Sequence, residues 1–256
     1  MALAVDGIIP DWPAPAGVRA LFTTRAGGVS VAPFDSFNLG DHVRDEPLAV
    51  RGNRERLAAL TAPARPVFLR QVHGTQVVRL TPDMPDGAVA DACVVQGPGV
   101  AATIMVADCL PVLFAHASGT AVAAAHAGWR GLVDGVLEVT ARALHNAAGE
   151  GELMAWLGPC IGPRAFEVGA EVCEAFVALD HGAAAHFWPL GKGKFLADLP
   201  ALARRRLRAA GITDVHGNDG SAAWCTVTQA SRFFSHRRDA VILGSTGRMA
   251  ACVWIA

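Results

Sequence analysis

Short apolar runs, separated by glycine, proline and polar residues, constrain the fold of this chain most. Several of them run without polar alternation, which predicts strands buried on both faces of a sheet. Six such runs are predicted to form strands: 67–69, 101–106, 112–115, 121–125, 241–243 and 250–255.

Helical patterns alternate with these strands. From Val133 to Leu144, apolar residues recur at the spacing of one helix face, which would pack on a sheet. A second helix is predicted over 196–210, ending before Gly211, a residue type favoured just after a helix. Shorter patterns cover 48–60 and 168–179. The mixture predicts an α/β or α+β fold with a substantial central sheet.

Composition excludes several classes of partner. Of the 256 residues, 52% are hydrophobic and 18% are charged, and the net charge of -1 provides no attraction for nucleic acid or anionic membranes. No apolar stretch reaches the roughly 20 residues that span a bilayer, and the start, MALAVDGIIPDWP, lacks the pattern of a signal peptide. We therefore expect a cytoplasmic monomer or homodimer that acts on small molecules.

Three potential metal ligands lie where apolar runs give way to turns. They are His73 in RQVHG, Cys109 in ADCLP and His126 in HAGWRG. Zinc accepts two imidazoles and one thiolate, and three protein ligands leave a fourth position open, which suggests an enzyme. The long separations between the three residues are unlike those of a zinc finger, so spacing does not identify the metal.

Longer motifs appear in order along nearly the whole chain: RQVHG, ADCLP, HAGWRG, GPCIGPRAFEVG, FFSHRRD and TGRMAACVWI. Three shorter ones accompany them: SFNLG at 36–40, Asn53 with Arg54, and Asp91 with Ala92. Together they resemble the multicopper polyphenol oxidase or laccase-domain family, which is linked to purine nucleoside phosphorylase activity. The resemblance implies zinc at the three ligands, with copper as the alternative metal. It also implies a single α/β domain over 1–256, with mixed sheets flanked by helices, similar to the fold of a bacterial toxin's catalytic domain.

Zinc-dependent phosphorolysis of purine nucleosides is the activity that this resemblance favours. Adenosine, inosine and methylthioadenosine would react with phosphate to give free base and ribose 1-phosphate, and adenosine deamination is a second activity proposed for relatives. Three alternatives stay open. Copper-dependent polyphenol oxidation needs many histidines, usually in H-x-H pairs, whereas this chain has nine histidines and no such pair. A hydrolase with Cys109 as nucleophile and His126 as base conflicts with metal binding by the same thiolate. A structural-zinc interaction module would need a fourth protein ligand, such as Cys160 or Cys225.

Phosphate contacts are assigned to arginines at the ends of elements within the family motifs, namely Arg70, Arg130 and Arg248. Arg130 follows a glycine loop directly ahead of a helix, where unpaired backbone N–H groups favour anions. Gln71 adds a polar group beside the first metal ligand and is predicted to contact substrate.

Proton transfer and base recognition are assigned to four further residues. Asp108, next to the thiolate ligand, and Asp91 are the candidate catalytic carboxylates. Trp129 and Phe166 lie within matched motifs and would stack on a purine ring.

Overall fold

Two large β-sheets form the centre of the protein, which a computed structural model describes over residues 6–256. Residues 1–5, the first part of the segment considered above for a signal peptide, lie outside this range. The described residues form fourteen strands: β1 (Gly7–Ile8), β2 (Val18–Thr23), β3 (Arg65–Phe68), β4 (Val77–Arg79), β5 (Ala92–Gln96), β6 (Val100–Val106), β7 (Leu110–His116), β8 (Ala121–Ala127), β9 (Leu153–Leu157), β10 (Glu167–Gly169), β11 (Phe187–Gly191), β12 (Lys194–Ala197), β13 (Asp214–Gly217) and β14 (Met249–Ile255). The same residues form six α-helices: α1 (Pro47–Thr61), α2 (Trp129–Asp134), α3 (Val136–Ala148), α4 (Ala170–Leu179), α5 (Leu199–Ala209) and α6 (His236–Leu243).

Both large sheets are mixed. The five-stranded sheet has the order β1-β2-β14-β6-β3, in which only β3 and β6 pair in parallel. The six-stranded sheet has the order β13-β9-β7-β8-β5-β4, with parallel pairs at its two edges. A small antiparallel sheet has the order β10-β12-β11. The predicted mixed α/β class with flanking helices is therefore confirmed.

The two large sheets pack face to face, with helices on their outer faces. Alternate side chains fill the space between the sheets, including Ile104 of β6 and Val122 and Ala124 of β8. Each fully buried side chain of the size of Ile104 contributes roughly 1.5–3 kcal/mol. Helices α3 and α5 cover the six-stranded sheet, and α1 with the loop at 36–40 covers the five-stranded sheet. Because strand side chains alternate, His126 points to the same side as Val122 and Ala124, towards the neighbouring sheet.

Most predicted elements are present, with shifted ends. The predicted strands at 67–69, 101–106, 112–115, 121–125 and 250–255 overlap β3, β6, β7, β8 and β14. The helix predicted from Val133 divides into α2 and α3 at Gly135, whose φ of 97° only glycine adopts readily. Helix α5 begins at Leu199, because the Asp198 side chain accepts the N–H of Ala201 and caps the helix there.

The strand predicted at 241–243 is wrong. These residues form the last turn of α6, which begins after the Ser235 cap and ends at Gly244, with a φ of 73°. Their side chains are 52–86% exposed, so this apolar run does not reflect burial in a sheet. Among the helices of residues 6–256, none has both the length and the apolar character needed to cross a membrane.

Candidate metal centre

His73, Cys109 and His126 converge at one end of the two packed sheets. Their ligand atoms all lie within 4.8 Å of one another, and Cys109 Sγ is 3.6 Å from His73 Nε2. Within residues 6–256, no fourth histidine, cysteine or carboxylate joins this group. Two imidazoles, one thiolate and an open side fit zinc in a site that leaves a coordination position for substrate.

Each ligand has a distinct structural origin. His126 is the penultimate residue of β8, Cys109 lies in the turn where the chain passes from β6 in one sheet to β7 in the other, and His73 lies in the loop after β3 with a φ of 62°. Gly128 makes room for their convergence. A Cβ atom at this position would lie 2.8 Å from His73 Cδ2 and 3.1 Å from Cys109 Sγ, too close for the ligands to keep their positions.

Asp91 lies behind the ligands and is fully buried. Its Oδ1 accepts hydrogen bonds from His126 Nδ1 and His73 N, both at 2.8 Å, and its Oδ2 accepts one from Gly74 N at 2.7 Å. Burial alone would raise the pKa of Asp91, but the hydrogen bonds from His126 and from Gly74 N lower it overall. With Nδ1 of His126 committed to Asp91, Nε2 is the ring atom left for a metal.

The Cys109 thiol and the His126 imidazole shift each other's pKa. Burial alone would raise the pKa of Cys109, but the nearby charge of His126 and contacts with both imidazoles lower it to about 6. Burial alone would lower the pKa of His126, but the charge of Cys109 and the bond to Asp91 raise it to about 9. The thiol is therefore largely ionised at neutral pH, as metal ligation or nucleophilic attack requires.

The three ligands line a cavity of about 600 Å³, a volume within the usual range for small-molecule sites. Seven other predicted site residues also line it: Arg70, Gln71, Asp108, Trp129, Arg130, Phe166 and Arg248. Asp91 is the predicted site residue that the structure does not bring to the cavity. Its position favours orientation of His126 over the predicted direct proton transfer.

Two of the polar residues on the cavity wall are largely engaged by the protein itself. The Gln71 side chain both donates to Met105 O and accepts from Met105 N, each at 2.8 Å, and so fastens the loop of His73 to β6. Asp108, with a φ of 90°, accepts from Thr226 Oγ1 at 2.5 Å and from Arg237 N at 2.6 Å. Asp108 still lines the cavity, and a carboxylate with these two bonds keeps lone pairs for a ligand.

The predicted aromatic and cationic contacts lie on different parts of the wall. Arg130 is exposed, and its guanidinium lies 4.5 Å from the centre of the Trp129 ring. Phe166 is buried and faces Arg237 at 5.8 Å. Arg248 is half-buried, with its Nη1 donating to Thr246 O at 2.9 Å.

Several lining residues were given no role by the sequence. They are Asp41, His42, Arg54, Phe68, Asp86, His236 and Arg237. Arg54 belongs to one of the motifs named above, and His42 follows another. Both reach the cavity only because distant segments pack together, and no local sequence pattern predicts such packing.

The chain is similar to known proteins over most of its length. Residues 19–256 match the family described as multi-copper polyphenol oxidoreductase laccase. The chain is 54% identical over 249 residues to a protein of Pseudomonas aeruginosa named purine nucleoside phosphorylase, covering 97% of this chain and 98% of that protein. It is 51% identical, over the same shares, to the Escherichia coli protein named purine nucleoside phosphorylase YfiH. A crystal structure of a Neisseria meningitidis protein superposes with a TM-score of 0.86 at 47% identity, covering 97% of this chain and 98% of that one.

Proposed function

Because the chain belongs to the multi-copper polyphenol oxidoreductase laccase family and has relatives named purine nucleoside phosphorylase, we propose that it is a zinc-dependent purine nucleoside phosphorylase. The observation that carries the proposal is the His73, Cys109 and His126 group, which faces a cavity of nucleoside size lined by arginines. The substrates would be adenosine, inosine and methylthioadenosine, each with phosphate. Since site residues extend from His73 to Arg248, we also propose that residues 1–256 act as one domain.

Phosphorolysis replaces one bond at the ribose. An oxygen of hydrogen phosphate bonds to C1′ while the bond from C1′ to the base nitrogen breaks, and the base takes the bonding electrons and the proton that the phosphate loses. Zinc held by the three ligands would supply a Lewis acid that polarises a substrate atom. Trp129 and Phe166 offer ring faces for the base, and guanidinium groups offer charge to the phosphate. Asp41, Asp86 and Asp108 line the cavity, and we assign the proton in transit to Asp108, the one that adjoins Cys109 in the chain.

The alternative activities fit the arrangement less well. A multicopper oxidase needs several metal sites, whereas one three-ligand group occurs among the described residues. A structural zinc would need a fourth cysteine or histidine ligand, such as Cys160 or Cys225. Asn218 Nδ2 donates to Cys160 Sγ and Gly162 N donates to Cys225 Sγ, and neither sulfur joins the group. The paired Cys109 and His126 could serve a hydrolase only if no metal took the thiolate.

Product analysis of zinc-loaded protein tests this proposal. Adenosine, inosine and methylthioadenosine are each incubated with and without phosphate, and products are separated by chromatography. We expect free base and a ribose 1-phosphate product that depend on phosphate and disappear in Cys109→Ala together with bound zinc. Cys173→Ala, which removes a half-buried thiol away from the cavity, is the matched control.

The same assay separates the alternatives. Inosine formed from adenosine without phosphate would show deamination instead. Absence of phosphate-dependent base release from all three nucleosides would overturn the proposal, and full zinc content in Cys109→Ala would overturn the ligand assignment.

A further inference from the structure

Two arginines that are far apart in the chain contact the SFNLG motif at Leu39, and the second of them also passes Gly40. Arg54 of α1 donates from Nε to Leu39 O at 3.0 Å, and Leu39 N donates to Arg248 O at 3.1 Å. A Cβ atom at Gly40 would lie 2.7 Å from Arg248 Cγ, so glycine lets the arginine side chain pass. Both arginines line the cavity, and the motif therefore brings them to one wall.

Two fully buried asparagines hold this arrangement in place. Asn38 Oδ1 accepts from Gly40 N at 2.9 Å and from Arg248 N at 2.8 Å. Asn53, the neighbour of Arg54, donates from Nδ2 to Asn38 O at 2.8 Å and so ties α1 to the same loop. Buried amides cost free energy unless they are fully hydrogen-bonded, and a saturated network of this kind fixes one geometry. Here the geometry that it fixes is the position of the two arginines.

The Arg54 guanidinium has donor capacity to spare. It lies 4.0 Å from the centre of the Phe68 ring and within ion-pair distance of Asp41 and Asp86, at 3.2 and 3.7 Å. Its Nη2 is buried and donates to no acceptor among residues 6–256, because Asp41 is close but poorly aligned. The side chain is 19% exposed, and Arg54 lines the cavity.

Arg248 connects this wall to the metal ligands. Arg248, Cys109 and Asp108 line the same cavity. Burial lowers the pKa of Arg248, and the negative charges of Cys109 and Asp108 oppose that effect. No carboxylate of the described residues forms an ion pair with Arg248. His42 also lines the cavity, and its side chain is 54% exposed. Partial burial and then the charge of Arg248 lower the pKa of His42, whereas Asp41 acts to raise it.

We propose that Arg54 and Arg248 form the phosphate subsite of the cavity, with Asn38 and Asn53 as positioning residues. The inference rests on the proposed phosphorolysis and names the part of the site that binds hydrogen phosphate for its attack on C1′. Two guanidinium groups offer paired donors that match the oxygens of a phosphate dianion. Because Arg130 is exposed and stacked on Trp129, the base would lie towards that ring and the phosphate at the opposite wall.

Steady-state kinetics of zinc-loaded Arg54→Gln and Arg54→Lys tests the subsite. With inosine saturating and inorganic phosphate varied, we expect Arg54→Gln to raise the KM for phosphate by about 10- to 100-fold, as for loss of a charged hydrogen bond. The KM for inosine should stay within about twofold of the wild-type value, and Arg54→Lys should fall between the two, because it keeps charge but not paired donors. Arg51→Gln is the matched control, since Arg51 lies on the same helix, is exposed and does not line the cavity.

Calorimetric titration with inorganic phosphate separates failure of the subsite from failure of the proposed function. Phosphorolysis with an unchanged KM for phosphate in Arg54→Gln would overturn the subsite and leave the function standing. Phosphate binding that weakens in Arg54→Gln but not in Arg51→Gln, in a protein that releases no base, would overturn the function and support the subsite. Thermal unfolding of each variant shows whether its fold is intact, and a folded Arg54→Gln protein that binds phosphate like wild type refutes the inference.

Discussion

Replacing Asp91 by Asn tests whether this carboxylate orients the metal ligands or transfers a proton. Asp91 is fully buried, and its two oxygens accept hydrogen bonds from His126 Nδ1 and from the backbone N–H groups of His73 and Gly74. An asparagine has nearly the same shape, but one oxygen becomes an NH₂ group. Whichever way the amide is turned, that group faces donors instead of accepting from them.

The expected magnitude follows from these contacts. About two hydrogen bonds to a charged acceptor are lost, and at roughly 1.5–3 kcal/mol each the free energy of unfolding should fall by about 3–6 kcal/mol. The His126 ring also loses the acceptor that orients it towards the metal. Loss of such a partner typically weakens metal binding by about 10- to 100-fold.

Two assays measure the two effects. Denaturant unfolding of zinc-free protein gives the stability, and competition with a chelator gives the zinc affinity, with Asp83→Asn as an exposed control. We expect both quantities to fall in Asp91→Asn and neither in Asp83→Asn. Unchanged zinc affinity combined with lost turnover would refute the orienting role and restore proton transfer to Asp91.

Three further predictions concern the ligands and a second buried carboxylate. Gly128→Ala should weaken zinc binding about 10-fold or more and cost roughly 1–3 kcal/mol of stability through overpacking, as measured by chelator competition and denaturant unfolding. In zinc-free protein at about pH 7, iodoacetamide should label Cys109 ahead of Cys93, whose pKa burial raises to about 12. Labelling of Cys109, followed by mass spectrometry, should fall as the pH drops through about 6. Equal labelling of Cys109 with and without zinc would contradict its role as a ligand. Burial alone would raise the pKa of Asp239, but the hydrogen bonds from Arg238 and neighbouring residues lower it overall. The ionised carboxylate therefore stabilises the native state above about pH 4, and this stabilisation is lost as the pH falls through the lowered pKa. Asp239→Asn should accordingly lose about 1.5–3 kcal/mol at neutral pH and little in strong acid, by denaturant unfolding at both.

Five of the strands and the candidate metal ligands could be predicted because their signals are local. The run before His126 is apolar without interruption, and the run before Cys109 is apolar apart from Thr103 and ends one residue before it, at Asp108. The same reasoning failed at Val241, because an exposed apolar turn of a helix looks like a buried strand when only composition is read. Asp91 was found through its motif, but its role depends on the direction of His126 Nδ1, which no sequence pattern encodes.

The missed residues share a physical cause. Arg54 reaches the cavity because Asn53 is bonded to the backbone of Asn38, fifteen residues earlier, and because Leu39 in turn is bonded to Arg248 near the end of the chain. Such contacts follow from packing of whole elements and leave no periodicity in any one segment. A matched motif without an assigned role was the signal that pointed to them.

The division of the site between the two sheets gives a physical reason for its location. His126 lies in β8 and its partner Asp91 directly precedes β5, both of the six-stranded sheet. Arg54 lies in α1 and Arg248 directly precedes β14, both on the side of the five-stranded sheet. Cys109 lies in the turn that joins the sheets, between these two groups. A nucleoside and a phosphate bound together, as proposed above, would form a pair that contacts groups from both sides at once. Such a pair binds the native state and not the unfolded chain, so its binding free energy stabilises the packing of the two sheets that forms the cavity.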